Sequence, residues 1–471
     1  MAIDPETLEA LVAKVTRELN GMLNSDEQTE PVETLEQGVF ENMEDAIEAA
    51  DFAFRKYSKA SLADRKRITD SISSYLAGYV NELAQMALDE TGMGNFGDKV
   101  LKNKVALERT PSVEILQSTA FTGDHGIALV ELSAYGVIGA LTPSTNPSET
   151  IINNSISMLA AGNAVVFSPH PGAFHTSNRA VALINEAIIL AGGPKNLVVS
   201  VTNPSKEKSA TMIAHKKIAM LCATGGPAVV TAVLSSGKKA IGAGEGNPPA
   251  LVDETAVVEK AAKDIIDGCS FDNNLPCTAE KSVVAVTSIC DRLIAGMKRG
   301  GAYHVTDKNL INKLTELAMP DGKTPNKKLV GKSAAHILSL LDITADPTVR
   351  VIICETEAGH PFVMHEQMIP ILPIVRVPDA KAGIDLCCKI EGGRRHSAVC
   401  HSKNVDVLSE MGKRIQTTIF VKNGPSFAGV GIGGEGYTTF TIAGPTGEGL
   451  VTAANFARKR RCTMVDGFNI R

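Results

Sequence analysis

From residue 136 onward, short apolar runs alternate with amphipathic stretches. Runs 136–141, 164–167, 197–201, 218–222 and 240–242 read as strands, and helical periodicity fills 148–161, 173–191, 206–214 and 228–236 between them. Strands alternating with helices of this length predict a parallel sheet covered on both faces, with ligands at the carboxyl ends of its strands. A second such set begins at Leu251, with strands at 283–286, 349–354, 371–377, 397–400 and 418–421 and helical patterns, 255–269 among them, in most of the gaps. Segment 298–339 is mixed and yields no defined element. Ahead of both sets, 41–117 is helical, with Ala46, Ile47, Ala50 and Phe54 on one stripe and Ile68, Ile72, Leu76 and Leu83 on another. Residues 121–133 then turn strand-like around Thr122-Gly123-Asp124.

The first 22 residues predict a separate amphipathic helix. Asp4 is placed to cap it and Pro5 to open it, Leu8, Leu11, Val12, Val15 and Leu19 share one face, and Asn20-Gly21 supplies a stop. The polar, acidic stretch 24–37 behind it has the composition of a linker. Such a helix needs an apolar surface, either on its own domain or in a groove of another protein; a mixed rather than basic polar face argues against a membrane. At the other end, 437–471 is rich in Gly and Thr and then basic (Arg458-Lys459-Arg460-Arg461), the pattern of a solvated or subunit-contact surface.

Bulk properties narrow the class. A chain of 471 residues exceeds one ordinary core, so at least two lobes are expected. With 44% hydrophobic and 21% charged residues it reads as globular, and a net charge of −5 argues against nucleic acid as a partner. The nine cysteines are scattered and without zinc spacing, so no metal site is expected and a reducing, cytosolic setting is. No apolar run reaches the length of a membrane span and no signal-peptide pattern opens the chain.

Cys277 stands out because it follows Pro276 in a polar, turn-prone segment between a helix and a strand, where a thiol can reach a substrate. On those grounds alone it is either a nucleophile or a small buried hydrophobe. Three glycine-rich stretches invite a phosphate reading. The stretch 431–436 (GIGGEG) has G-x-G-x-x-G spacing but does not follow the first strand of an alternating unit, so it reads as a loop. Thr224-Gly225-Gly226 follows a strand and opens a helix whose amides face an anion. Residues 242–249 (GAGEGNPP) suit a crossing between lobes. Asn146, before Pro147 at the end of a strand, is a helix cap by position, or an amide pointed into a cleft.

Residues 135–171, 218–226, 242–249, 271–281, 366–373 and 442–466 together resemble the aldehyde dehydrogenase superfamily, and within it the CoA-acylating branch of bacterial microcompartments, the propionaldehyde and acetaldehyde dehydrogenases. The most specific pieces are 273–277 (NNLPC), 366–373 (EQMIPILP), 441–449 (TIAGPTGEG) and Arg460-Arg461-Cys462, in the family's order over nearly the whole chain. The resemblance implies an α/β fold with two Rossmann-like lobes and a small β oligomerisation element. It implies a targeting helix at 1–22, a dinucleotide-binding domain at 23–118 and 135–244, a catalytic domain at 245–436, and an oligomerisation element at 119–134 and 437–471. It further implies Cys277 as nucleophile and Asn146 as oxyanion donor. Glu366 would hold the nicotinamide ribose, Thr142 and Pro143 would line the nicotinamide end, and Thr224, Gly225 and Gly226 the phosphate region. Ser168-Pro169-His170 stands where relatives carry an adenosine-binding lysine, so NAD is implied as cofactor with NADP left open.

Hydrolytic relatives carry a water-activating glutamate in an E-L-G-G pattern, and here the aligned position is Gly242, with Glu245 three residues on. The resemblance therefore implies oxidation of a short-chain aldehyde, propionaldehyde foremost, to its acyl-CoA with NAD+ and coenzyme A. Hydrolytic, acyl-phosphate and catalytically inactive shell-cargo readings are the alternatives. The base that deprotonates CoA is not visible; His360 and His365 are the nearby histidines. In this branch a tethered N-terminal helix is similar to an encapsulation signal for a shell protein. That implies a cytoplasmic protein in a microcompartment lumen, and a homo-oligomer, dimer or tetramer.

Overall fold

The computed structural model describes residues 37–470, so the expected targeting helix at 1–22 lies outside the described residues. Chain order begins with the short strand β1 (Val39–Phe40) and four helices, Met43–Tyr57, Leu62–Leu76, Val80–Thr91 and Phe96–Arg109. Ser61 and Asp64 form a reciprocal capping box at the second of these, and Gly92 ends the third in the left-handed conformation that glycine adopts without cost. Next comes the hairpin β2 (Thr119–Gly123) and β3 (Gly126–Ala134).

The alternating region then delivers β4 (Val137–Thr142), β5 (Ala164–Pro169), β6 (Val198–Val201), β7 (Ile218–Thr224) and β8 (Lys239–Ala243). With β1 they form one parallel sheet of six strands in the order β1-β6-β5-β4-β7-β8. A second parallel sheet follows, built from β9 (Pro249–Val252), β10 (Ser282–Val286), β11 (Ala302–Val305), β12 (Val351–Glu355), β13 (Ile371–Val377), β14 (Ser397–His401) and β15 (Ile419–Lys422). Its order is β11-β12-β13-β10-β9-β14-β15. The chain crosses from one sheet to the other through residues 244–248, as the glycine- and proline-rich run predicts.

Two strands of the second sheet escape the sequence pattern. β9 is central in its sheet but only four residues long and begins with Pro249, whose missing N–H is tolerated at the first position of a strand. β11 lies inside the mixed segment 298–339 and is half exposed at the sheet edge, which blurs its apolar signature.

The helix Pro147–Ala160 is buried along its whole length, although it carries Ser148, Glu149, Asn153, Asn154, Ser155 and Ser157. It survives burial because several of these side chains are bonded. Asn153 donates to Thr110 Oγ1 at 2.8 Å and accepts from the Phe440 N–H at 3.1 Å, and Asn154 Oδ1 accepts from Thr441 Oγ1 at 3.1 Å. The tail thus returns to seal this helix before forming β18 (Ala457–Val465) beyond two two-residue strands, β16 (Ile442–Ala443) and β17 (Gly449–Leu450). β18 pairs antiparallel with β3 from Ala457 opposite Ala134 to Val465 opposite Gly126, giving a three-stranded sheet β18-β3-β2. All but the first residue of β18 is exposed.

Asn163 joins these parts. Its side-chain oxygen accepts from the Tyr135 and Gly136 N–H groups at 2.7 and 3.1 Å, and its amide donates to Met158 and Phe456 carbonyls at 3.1 and 2.9 Å. Four bonds from one fully buried amide tie the hairpin exit, the buried helix and the tail. Replacing it by alanine orphans buried groups that each cost about 1–3 kcal/mol, so Asn163→Ala is expected to lower the thermal midpoint by several degrees. An unchanged melting curve in differential scanning calorimetry contradicts this account of the junction.

Candidate active site

The first lobe presents its carboxyl edge. Register places Leu141 beside Ser168 and Ala223, and Thr142 beside Pro169, so the ends of β4, β5 and β7 lie in one row. Thr142 closes β4 with a buried hydroxyl that has no partner, and Pro143 follows it into the turn. Ser168 Oγ meets Ser209 Oγ at 2.9 Å near the end of β5, and His170 lies exposed just past it. Thr224 Oγ1 meets Thr441 Oγ1 at 3.0 Å, while Gly226 caps the helix Pro227–Leu234. A Cβ on Gly226 would meet nothing within 4 Å, and one on Gly225 would only graze Val229 at 4.0 Å. The backbone there is open to a ligand. An unpartnered threonine, two bare glycines and a helix N-terminus on one edge fit a dinucleotide, with polar groups toward its phosphates.

Asn146 occupies the cap position of the helix Pro147–Ala160, yet its side chain makes no cap bond. Instead its Oδ1 accepts from Lys102 Nζ at 2.7 Å and its Nδ2 makes only a long contact to Thr145 Oγ1 at 3.3 Å. The cap is Asn146 by backbone only.

The second lobe presents its amino edge, a feature that sequence reasoning did not supply. Residues 244–248 lead into β9, Cys277 and Lys281 into β10, Glu366 into β13 and His396 into β14, and these four strands are neighbours. The loop before Cys277 holds its shape through Asp272, Asn273 and Asn274, at φ of 47, 55 and 66°. Asn and Asp are the non-glycine residues that tolerate this region best, which explains the D-N-N run. Each side chain is anchored. Asp272 accepts from the Asn95 N–H at 2.9 Å, Asn273 donates to the Gly94 and Gly331 carbonyls at 3.0 and 2.9 Å, and Asn274 donates to the Cys269 and Glu280 carbonyls at 2.9 and 3.1 Å. Gly94 is required here, because a Cβ on it would sit 1.9 Å from Asp272 Oδ1. Buried Lys281 completes the loop, donating to Asn274 O and Oδ1 at 2.8 and 2.7 Å and to Pro276 O at 3.1 Å.

Cys277 is half-buried. Burial pushes its thiol up to about 12, the Glu366 carboxylate adds to that, and the Lys281 ammonium with the Cys277 and Thr278 N–H groups pulls against it. Glu366 is itself pushed up to about 7, first by burial and then by Glu245, against Lys281; its Oε1 faces the Gly246 N–H at 3.4 Å. Gly246 fits between two neighbours, since a Cβ there would lie 2.7 Å from both the Cys277 carbonyl oxygen and His396 Cγ.

His396 was not singled out from the sequence. It is buried, held down to about 4 by burial and then by Lys281, bonded through Nδ1 to Ser397 Oγ at 2.9 Å, and has an unpartnered Nε2. Nothing in the surrounding GGRRHSAV sets it apart; only the adjacency of β14 and β9 brings it near Cys277. Of the two histidines noted from sequence, His360 caps the helix Pro361–Met364 through Nδ1 at 3.2 Å and is structural. Among the described residues, no hydrogen bond joins Ser168, His170 or Thr224–Gly226 to the Cys277 group.

The chain matches the model of the aldehyde dehydrogenase family over residues 22–307. The chain belongs to that family. It is 48% identical over 465 residues to the CoA-propanoylating propanal dehydrogenase of Salmonella typhimurium, covering 98% of this chain and 99% of that one. A structure of Rhodopseudomonas palustris propionaldehyde dehydrogenase with bound CoA and an acylated cysteine superposes with a TM-score of 0.91 at 54% identity, over 92% of this chain and 99% of that one. A propionaldehyde dehydrogenase from the Clostridium phytofermentans fucose utilisation bacterial microcompartment gives a TM-score of 0.91 at 50% identity, over 93% and 100%. This aldehyde dehydrogenase therefore shares full-length architecture with CoA-acylating members of its family.

The electrostatics around Cys277 make a signed prediction. Removing the Glu366 charge lowers the thiol pKa, so Glu366→Gln is expected to speed alkylation of Cys277 by iodoacetamide about three- to tenfold at pH 8. Because Glu366 titrates near 7, the wild-type carboxyl is already neutral well below that pH and the difference should vanish by about pH 5.5. Mass spectrometry of the peptide containing Cys277 reads the rate. Equal rates at pH 8 would show that Glu366 does not act on the thiol.

Proposed function

We propose that this aldehyde dehydrogenase oxidises a short-chain aldehyde, propanal foremost, to its acyl-CoA with NAD+ and CoA, reversibly, through a thioester on Cys277. The observation that carries the reading is the full-length similarity to CoA-propanoylating enzymes, with Cys277 half-buried in a loop beside the crossing between lobes.

Cys277 Sγ gives its proton to solvent and attacks the aldehyde carbon as the thiolate, forming the S–C bond while the carbonyl π pair moves to oxygen. The developing oxyanion is met by Asn146 Nδ2, whose one hydrogen bond among the described residues is the long one to Thr145 Oγ1, and by the Cys277 N–H. Loss of one such donor costs about 2.7–4 kcal/mol of barrier. Thr142, Pro143 and Glu366 would line the nicotinamide end of the cleft, Thr224, Gly225 and Gly226 would face the phosphates, and Ser168 and His170 the adenosine end. The bound dinucleotide supplies the hydride acceptor. Collapse of the tetrahedral adduct breaks its C–H bond, with hydride as the leaving group, and leaves the acyl group on Cys277; the CoA thiol then attacks that carbonyl and expels the Cys277 thiolate.

What supports transfer to CoA over hydrolysis is the state of the two positions where a water base could stand. A Cβ on Gly242 would lie 2.7 Å from Val230 Cγ1, and Glu245 is held by Arg394 at 3.1 Å. His396, with its free Nε2 and depressed basicity, is the histidine best placed to take the CoA proton. NADH formation from propanal should require CoA for many turnovers and disappear in Cys277→Ala. Sustained turnover without CoA refutes the acylating reading, and an active mutant refutes the nucleophile.

The reading extends to a microcompartment lumen, with the helix at 1–22 as the shell-binding segment and the three-stranded sheet as the oligomerisation element. The support for the latter is the long exposed strand β18, which leaves Met464 and Val465 in water at the sheet edge, an edge that needs cover. Deleting residues 1–22 should leave activity and oligomeric mass intact and abolish co-purification with shells, whereas Val465→Glu should lower the mass in light scattering. Shell binding by the truncated chain, or an unchanged mass in the β18 variant, removes the corresponding assignment.

A further inference from the structure

The helix Phe96–Arg109 carries two fully buried lysines that no part of the reaction so far uses. Lys102 Nζ lies 2.6 Å from Asp272 Oδ2, 2.7 Å from Asn146 Oδ1, 3.2 Å from Glu149 Oε1 and 3.3 Å from the Thr145 carbonyl. Lys99 adds a second contact to Asp272 Oδ2 at 3.3 Å. One ammonium therefore touches both the asparagine of the first lobe and the loop that carries Cys277 in the second.

We propose that Lys102 is a positioning residue that sets which way the Asn146 amide faces and fixes it relative to the Cys277 loop. This rests on the reading of Asn146 as the oxyanion donor. An ammonium has only donors, so the amide atom facing it is the oxygen. Nδ2 is then turned to the opposite side, where its sole partner among the described residues is Thr145 Oγ1 at 3.3 Å. Without Lys102 the amide is free to rotate by half a turn and offer an acceptor to the oxyanion, which repels it. The charge is secure: burial disfavours it, but Asp272 and Glu149 more than compensate and hold the ammonium above its ordinary range, so the orientation persists across neutral pH. Lys99, by contrast, is held below its ordinary range, chiefly by burial and then by Lys102. The two lysines thus divide the work, Lys102 bridging and Lys99 balancing Asp272.

The test pairs two variants with Asn146→Ala. Lys102→Met alone leaves Glu149 buried without its cation, so Lys102→Met/Glu149→Gln is made beside it; this removes one charge of each sign and keeps Lys99 paired with Asp272. Folding is checked by calorimetry and circular dichroism, and at least the double variant is carried into kinetics. The expected result is a kcat for propanal oxidation lower by roughly 10- to 100-fold, below the 10²–10³ of a lost donor, with KM for NAD+ within threefold. In the Asn146→Ala background the same lysine change should add less than threefold, because its effect runs through that amide. A full, multiplicative loss in that background overturns the proposal, as does wild-type kcat in the folded double variant. Should Asn146→Ala itself retain wild-type kcat, the oxyanion reading fails instead, and Lys102 has no amide to position.

Discussion

The structure depends on a buried ionic knot. Lys99, Lys102, Asp272 and Glu149 come from three segments far apart in sequence, and all four side chains are almost fully removed from water. Burying ions is unfavourable unless each meets its opposite at close range, and deleting one partner of such a group costs about 3–5 kcal/mol. A hydrophobic replacement of the whole group could stabilise the fold as well or better. What it could not do is present a donor to one oxygen of an amide and an anchor to a loop at once. The knot is therefore better understood as a registration device than as a source of stability.

Around it, two sheets meet with opposite polarity. The first lobe offers the carboxyl ends of its strands, where helix N-termini and bare glycines suit the phosphates of a dinucleotide. The second offers the amino ends of β9, β10, β13 and β14, which bring a thiol, a carboxylate, an ammonium and an imidazole together. On the proposed reading, one edge handles the redox partner and the other the acyl group.

The thiol at that junction is held in balance. Burial and Glu366 keep it protonated in the free protein, while Lys281 and two backbone N–H groups oppose them. A thiol kept protonated until the site fills is protected from stray oxidation and alkylation. The same dry surroundings keep His396 neutral, with its Nε2 unpartnered among the described residues. With Gly242 packed under Val230 and Glu245 bound to Arg394, the site has no free carboxylate at either position suited to activating water.

Much of this was legible in the chain. Alternating periodicity located most strands of both sheets to within a residue or two, because a buried parallel strand must be a short apolar run whatever surrounds it. The D-N-N-L-P-C run announced a turn-prone segment before a thiol, and the structure realises it with Asp272, Asn273 and Asn274 in the left-handed region, which Asn and Asp enter more readily than other side chains. Other features left no local trace. The proline-led β9, the edge strand β11 and the fully buried polar helix Pro147–Ala160 all owe their character to neighbours distant in sequence. Lys102 looks like any helical lysine and His396 like any loop histidine until Asp272, Asn146 and Gly246 are folded against them. Sequence determined the elements, because backbone propensity and apolar burial act over a few residues, and it singled out Cys277 without deciding its role. Only tertiary structure decided the electrostatics of the site, because desolvation and Coulomb energy depend on which groups are brought together in space.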